Sequence, residues 1–166
     1  MFALIYALLS IAPQASAAPT LSVFEFKGVR AGEPVQHSLL KSCRALKDGT
    51  IACEPLTPQV AGISNYGTAP ELHFYQARLT SMYYVVDRRH YLTLLSAFVT
   101  KYGQPCQVSK VEWRNAMGAV FPSQVVRWCF ASGKLELREM TSNRDISAAV
   151  YQDVYQAPAP PARIDF

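Results

Sequence analysis

Four cysteines and three histidines are the residues of this chain best suited to metal binding, thiol chemistry or proton transfer. Cys43, Cys53, Cys106 and Cys129 include no C-x-x-C pair, and no His/Cys cluster stands at ligand spacing, so neither a zinc motif nor a redox dithiol is written in the sequence. His37, His73 and His90 lie far apart, and each could reach a carboxylate or a serine only through the fold. His73 alternates with Leu72 and Phe74 and reads as an outward-facing strand residue. Arg88-Arg89-His90 places positive charge in a first helical turn, against the helix dipole. It reads either as an anion or acidic-partner site, or as a solvated helix start whose arginines pair with nearby acids. Glu136 and Glu139 fall on opposite faces of a strand, and Asp145 and Asp153 sit near its neighbour, which supplies no paired carboxylates for acid–base work. No catalytic residue, metal ligand or cofactor is therefore assigned, and the chain is not expected to be an enzyme.

The tyrosines offer a different chemistry. Tyr83 and Tyr84 are adjacent, and Tyr66, Tyr75, Tyr151 and Tyr155 add to a set that could form an exposed recognition surface. The competing use is structural: half would cover a core beneath a helix and the rest would stiffen strands. The turn-rich loop Asn65-Tyr66-Gly67-Thr68-Ala69-Pro70 presents an aromatic where a partner could touch it. The candidate partner-binding residues are Tyr66, Tyr83, Tyr84, Arg88 and Arg89.

The compartment decides how the cysteines are used. Phe2 to Ala12 is a nearly continuous apolar run followed by Pro13 and the small triplet Ala15-Ser16-Ala17, the pattern of a signal peptide with its cleavage site. No Lys or Arg precedes the run, and it is shorter than the roughly 20 residues a membrane-spanning helix needs. Residues 1–17 therefore predict export to the periplasm or medium, with no transmembrane anchor after cleavage. The first cysteine is Cys43, far from a lipid-attachment position. Four cysteines in an oxidising compartment allow three pairings. Cys43 with Cys53 closes a loop around the turn-forming Lys47-Asp48-Gly49, and Cys106 with Cys129 agrees with a hairpin between them. All 16 Lys and Arg and all 12 Asp and Glu follow the leader, and the net charge of +4 is spread without a basic block, which argues against nucleic acid as a partner.

The elements that would position these residues are legible in part. Asp87 to Pro105 carries an N-cap, an apolar stripe of Tyr91, Leu94, Leu95, Phe98 and Tyr102, and a Gly103 stop, so it predicts a helix packed on a sheet. Leu72–Tyr75 and Leu79–Val86 predict an antiparallel pair around Gln76-Ala77-Arg78. Gln107–Trp113 and Gln124–Phe130 predict a hairpin with Trp113 opposite Pro122, which would place Val111, Trp113, Val126, Trp128 and Phe130 on one core face. Ser132-Gly133 turns into the alternating strand Lys134–Arg138, and Ala148–Tyr155 is the last strand. The first half predicts a short strand Leu21–Phe26, a helix over Glu33–Arg44 and strands near 50–54, 58–64, 71–75 and 79–86. The fold class is α+β: one domain over 18–155, an antiparallel sheet packed by one or two helices. It allows two helix-plus-sheet repeats, 21–86 and 87–155. Residues 156–166 form a Pro/Ala-rich tail.

The strings Phe24-Glu25-Phe26-Lys27-Gly28-Val29, Leu72-His73-Phe74-Tyr75-Gln76-Ala77-Arg78-Leu79 and Phe98-Val99-Thr100-Lys101-Tyr102-Gly103-Gln104-Pro105, with Trp128 beyond, resemble a set of uncharacterised small exported proteins of Gram-negative bacteria. The helix-plus-antiparallel-sheet plan is also similar to the domains of β-lactamase inhibitory protein and of small outer-membrane assembly lipoproteins, although the lipid-attachment cysteine of the latter is missing. The resemblance carries over no functional residue. The tyrosine set and the lack of a catalytic motif point to the first function class, a non-enzymatic protein-binding or inhibitor-like module whose partner is an envelope or extracellular protein. The other class is a small periplasmic hydrolase or ligand-binding protein with a site assembled from distant residues; it predicts convergent His and carboxylate groups in a cleft, where the first predicts an exposed aromatic surface.

Overall fold

The computed structural model describes residues 23–63, 69–114 and 117–154; the leader 1–17, Tyr66 and the tail 156–166 lie outside the described residues. Strand-forming alternation dominates, and the described residues form mainly antiparallel sheet with one α-helix. A small ribbon, β1 (Glu25–Phe26) and β2 (Val29–Arg30), comes first. It is followed by β3 (Leu40–Ala45), β4 (Ile51–Pro55), β5 (Glu71–Tyr75), β6 (Arg78–Asp87), α1 (Tyr91–Tyr102), β7 (Gln107–Arg114), β8 (Val120–Phe130), β9 (Gly133–Arg138) and β10 (Ile146–Asp153). The large sheet has the order β3-β4-β5-β6-β10-β9-β8-β7. It is two antiparallel meanders, β3–β6 and β7–β10, joined side by side through β6 and β10. Each meander carries one disulfide: Cys43–Cys53 links β3 to β4, and Cys106–Cys129 ties the residue just before β7 to β8.

The helix starts and stops where its residues say it should. The Asp87 carboxylate accepts the Arg89 N–H at 2.9 Å and opens a 3-10 turn over Arg88–His90, which leads into α1. Gly103, at φ 80°, takes the left-handed position that ends it, its N–H donating to the Val99 carbonyl. Tyr91, Leu94, Phe98 and Tyr102 are buried against the sheet. There Phe98 meets Trp128 edge to face at 5.7 Å, and the Trp128 indole N–H donates to the Gly103 carbonyl at 2.9 Å. Burying side chains of this size stabilises the fold by roughly 1.5–3 kcal/mol each, so this seam fastens the helix to the second meander. Phe24 stacks on Tyr151 at 3.8 Å, and the Tyr102 hydroxyl donates to the Glu25 carbonyl, which closes the ribbon over the helix end. At the β8–β9 turn only glycine fits position 133, since a Cβ there would overlap the backbone of Gln152 and Asp153.

Three expectations are corrected. Glu33–Arg44 is not a helix: it holds a 3-10 turn at His37–Leu39 and then β3. The segment has no apolar stripe, begins with Pro34 near its start, and its Cys43 is tied to a neighbouring strand. The expected strand at 58–64 is, over its described residues, a turn closed by a single bridge between Val60 and Ile63. The hairpin register is one residue away from expectation, with Trp113 opposite Phe121 and Gln107 opposite Arg127. Cys106 lies just before the regular ladder, its N–H donating to the Arg127 carbonyl, so the disulfide does not continue the pairing of the strands. Because side chains alternate, this slip moves Val111 and Trp113 to the face opposite Val126 and Trp128.

Candidate functional site

One face of the sheet is covered by α1 and the β1–β2 ribbon; the other is open. Strand register builds the open face in rows. Tyr83, Val150, Glu136 and Arg127 stand side by side across β6, β10, β9 and β8, and Val85, Ala148, Arg138 and Val125 form the next row. The β7–β8 hairpin and the segment Met140–Ser142 rise beside these rows and enclose a trough of about 530 Å³. Its walls and floor include Tyr83, Val111, Trp113, Val125, Val150 and Arg138. Tyr83 is 48% and Val111 40% exposed, and Trp113 is half-buried.

Beside this lining, further along the same rows of the sheet, lies a concentrated charge cluster. Glu136, nearly buried, accepts from Arg127 at 2.8 Å and from Arg138 at 3.1 Å, and Lys134 stands 3.6 Å away. Burial alone would raise the Glu136 carboxyl, but the hydrogen bonds and charges of Arg127 and Arg138 outweigh it and hold the group below its ordinary range. The carboxylate side chain is only 10% exposed, whereas those of Arg138 and Lys134 are about half exposed at 54% and 48%. One hidden anion among three partly open cations leaves the surface locally positive. The trough thus offers aromatic and aliphatic contact with Arg138 and Glu112 in its lining, and the cationic surplus of the Glu136 cluster adjoins it.

A second depression, about 650 Å³, lies between the other side of the same hairpin and the start of the helix, lined by Arg88, Lys110, Gln124 and Glu139 among others. Ser123 borders both depressions. Arg88 bonds Glu139 at 2.8 Å, and Arg89 reaches Asp87 at 3.2 Å. The Arg88-Arg89-His90 run is therefore arranged as a helix start whose arginines pair with acids.

The proposed tyrosine pair divides between the faces. Tyr83 lies in the trough, and Tyr84, wholly buried, belongs to the core, because neighbouring strand residues point in opposite directions. Tyr84 therefore forms no part of an exposed surface; Tyr66 lies outside the described residues. Tyr151 is also core, its hydroxyl donating to the Ser132 carbonyl. Trp113 and the Glu136 cluster escaped sequence reasoning. The expected register sets Trp113 on the core face, while Lys134-x-Glu136-x-Arg138 does carry a signal, alternating charges on one face of one strand.

His73 is not an isolated surface group. Its Nε2 lies 2.6 Å from Glu71, which also accepts from Arg44 at 2.5 Å, and Ser81 stands opposite His73 on the next strand. Burial tends to raise Glu71, and its hydrogen bonds to Arg44 and His73 overcome this and lower it. Among the described residues no three His, Cys, Asp or Glu side chains gather as a metal-holding group, and no helix is long and apolar enough to cross a membrane. No known protein family, curated protein or solved structure matches the chain.

Proposed function

We propose that this is an exported, non-enzymatic binding module of the bacterial cell envelope that recognises another protein through the open face of its sheet. The observation that carries this reading is the composition of the open face: a trough lined by Tyr83, Val111 and Trp113 with Arg138 and Glu112, and beside it the Glu136 cluster, in which Arg127, Lys134 and Arg138 surround one nearly buried carboxylate. Half-exposed aromatics flanked by arginine are the side chains that dominate binding energy at protein interfaces. The surplus cations specify the partner's chemistry, an apolar anchor next to Asp or Glu. Export rests on residues 1–17, and the two disulfides are compatible with it. The two halves share a four-stranded meander with one disulfide each, but only the second carries an α-helix among the described residues.

Selection of displayed peptides on the disulfide-intact protein tests the reading. Enriched sequences should combine an aromatic or aliphatic residue with a neighbouring acid, bind more weakly as salt rises, and lose affinity for Arg138→Ser and Trp113→Ala variants. Failure to enrich, or equal binding to those variants, would remove the trough from consideration. The alternative, a small hydrolase, has one observation in its favour, the hydrogen-bonded His73–Glu71 pair facing Ser81. It predicts hydrolysis of a chromogenic ester that is lost in His73→Gln.

A further inference from the structure

The large sheet ends in two edges, β3 and β7, and they are built differently. Along β3 the pairing with β4 is interrupted by a bulge between Lys41 and Arg44, with Ser42 in the left-handed region at φ 51°. A bulged edge of this kind is bent away from further pairing. β7 is the opposite case. It keeps unbroken register with β8 from Gln107 to Arg114, and most of its residues are exposed.

Hydrogen bonding fixes which groups the β7 edge offers. Across β8 and β9 the Glu139 N–H donates to the Gln124 carbonyl. In an antiparallel ladder backbone groups alternate sides, so the even-numbered residues of β8 bond β9 and the odd-numbered ones bond β7. Their partners in β7 are Gln107, Ser109, Val111 and Trp113. The N–H and C=O groups of Val108, Lys110, Glu112 and Arg114 therefore point outward, away from the sheet.

We propose that a second copy of this chain docks on β7, antiparallel and about a two-fold axis at Val111, so that two sheets join into one. The β7 edge is self-complementary. Outward-facing residues must meet outward-facing residues, which restricts the pairing to registers of even sum. With the axis at Val111, Lys110 stands opposite Glu112 of the second copy and Glu112 opposite its Lys110. Val111 packs beside its own counterpart, and Trp113 faces Ser109 across the joint. Moving the axis one residue either way sets Lys110 against Lys110 or Glu112 against Glu112, and like charges directly opposite are destabilising. Val108 and Val111, 57% and 40% exposed in the single chain, gain cover at the junction. Val111 and Trp113 are shared between this seam and the wall of the trough, so the pairing brings the two troughs to either side of one seam.

Sedimentation of the disulfide-intact chain over a wide concentration range tests the pairing, with charge reversal at its two central residues. The native chain should form a dimer. Lys110→Glu and Glu112→Lys should each weaken self-association by about tenfold or more, since each sets like charges opposite one another. An equimolar mixture of the two variants should dimerise again, because each then presents the charge the other lacks; this rescue also shows that both are folded. A native chain that stays monomeric, single variants that dimerise like the native chain, or a mixture that stays monomeric would each overturn the proposal. So would capture of β7 by an extended segment of a different protein in place of the second copy.

Discussion

Tyr84 and Tyr151 are both wholly buried, yet their hydroxyls have different surroundings. The Tyr84 hydroxyl has no hydrogen-bond partner among the described residues, whereas that of Tyr151 bonds the Ser132 carbonyl and hydroxyl at 3.1 and 2.9 Å. Tyr84→Phe should leave stability unchanged or raise it, and Tyr151→Phe should lower it by about 1 kcal/mol, both read from urea unfolding midpoints. Glu136 gives a pH dependence. Burial opposes its ionisation, but Arg127 and Arg138 lower its carboxyl below the ordinary value of 4.5. A carboxyl lowered in the folded state contributes stability that is complete above its unfolded value and lost as pH falls through the folded one. Stability should therefore decline below about pH 4.5, with Glu25 and Glu71, shifted in the same direction, adding to the slope. Glu136→Gln should lower stability at neutral pH and make the acid limb shallower. An unchanged acid limb would show that the cations do not hold the carboxylate.

At the level of elements, the disulfides differ in the length of chain they close, 10 residues for Cys43–Cys53 and 23 for Cys106–Cys129. Chain entropy assigns them about 2.7 and about 3.4 kcal/mol, so replacing Cys106 and Cys129 by serine should be the costlier change in equilibrium unfolding. The elements also show what the sequence could and could not convey. α1 was legible because its cap, stripe and stop are local, and β5, β6, β9 and both cysteine pairings followed from turns and alternation. Glu33–Arg44 misled because a short polar segment without periodicity takes its conformation from its neighbours, here the strand to which Cys43 is bonded. The β7–β8 register was off by a single residue, since the disulfide sits outside the ladder. That one slip concealed the candidate site, because it sent Trp113 and Val111 into the core when they line the trough. The Arg127–Glu136 contact joins two strands at a register no local pattern specifies, so the charge cluster became visible only once β8 and β9 were paired.

For the whole molecule, the joining of two meanders through β6 and β10 produces a sheet wider than one helix and one ribbon can cover. One face becomes the core and the other stays available, and it is this open face that we propose as a recognition surface. The same architecture leaves β7 as a regular edge at the rim of that surface. The most direct test of the central claim is affinity capture from a cell-envelope extract with three baits: the native disulfide-intact chain, Tyr83→Ala/Trp113→Ala, and Leu92→Ala on the exposed side of α1. One stoichiometric protein partner should be retained by the native chain and by Leu92→Ala and lost from the trough variant. Retention of the same partner by all three baits, or of none by the native chain, would contradict it.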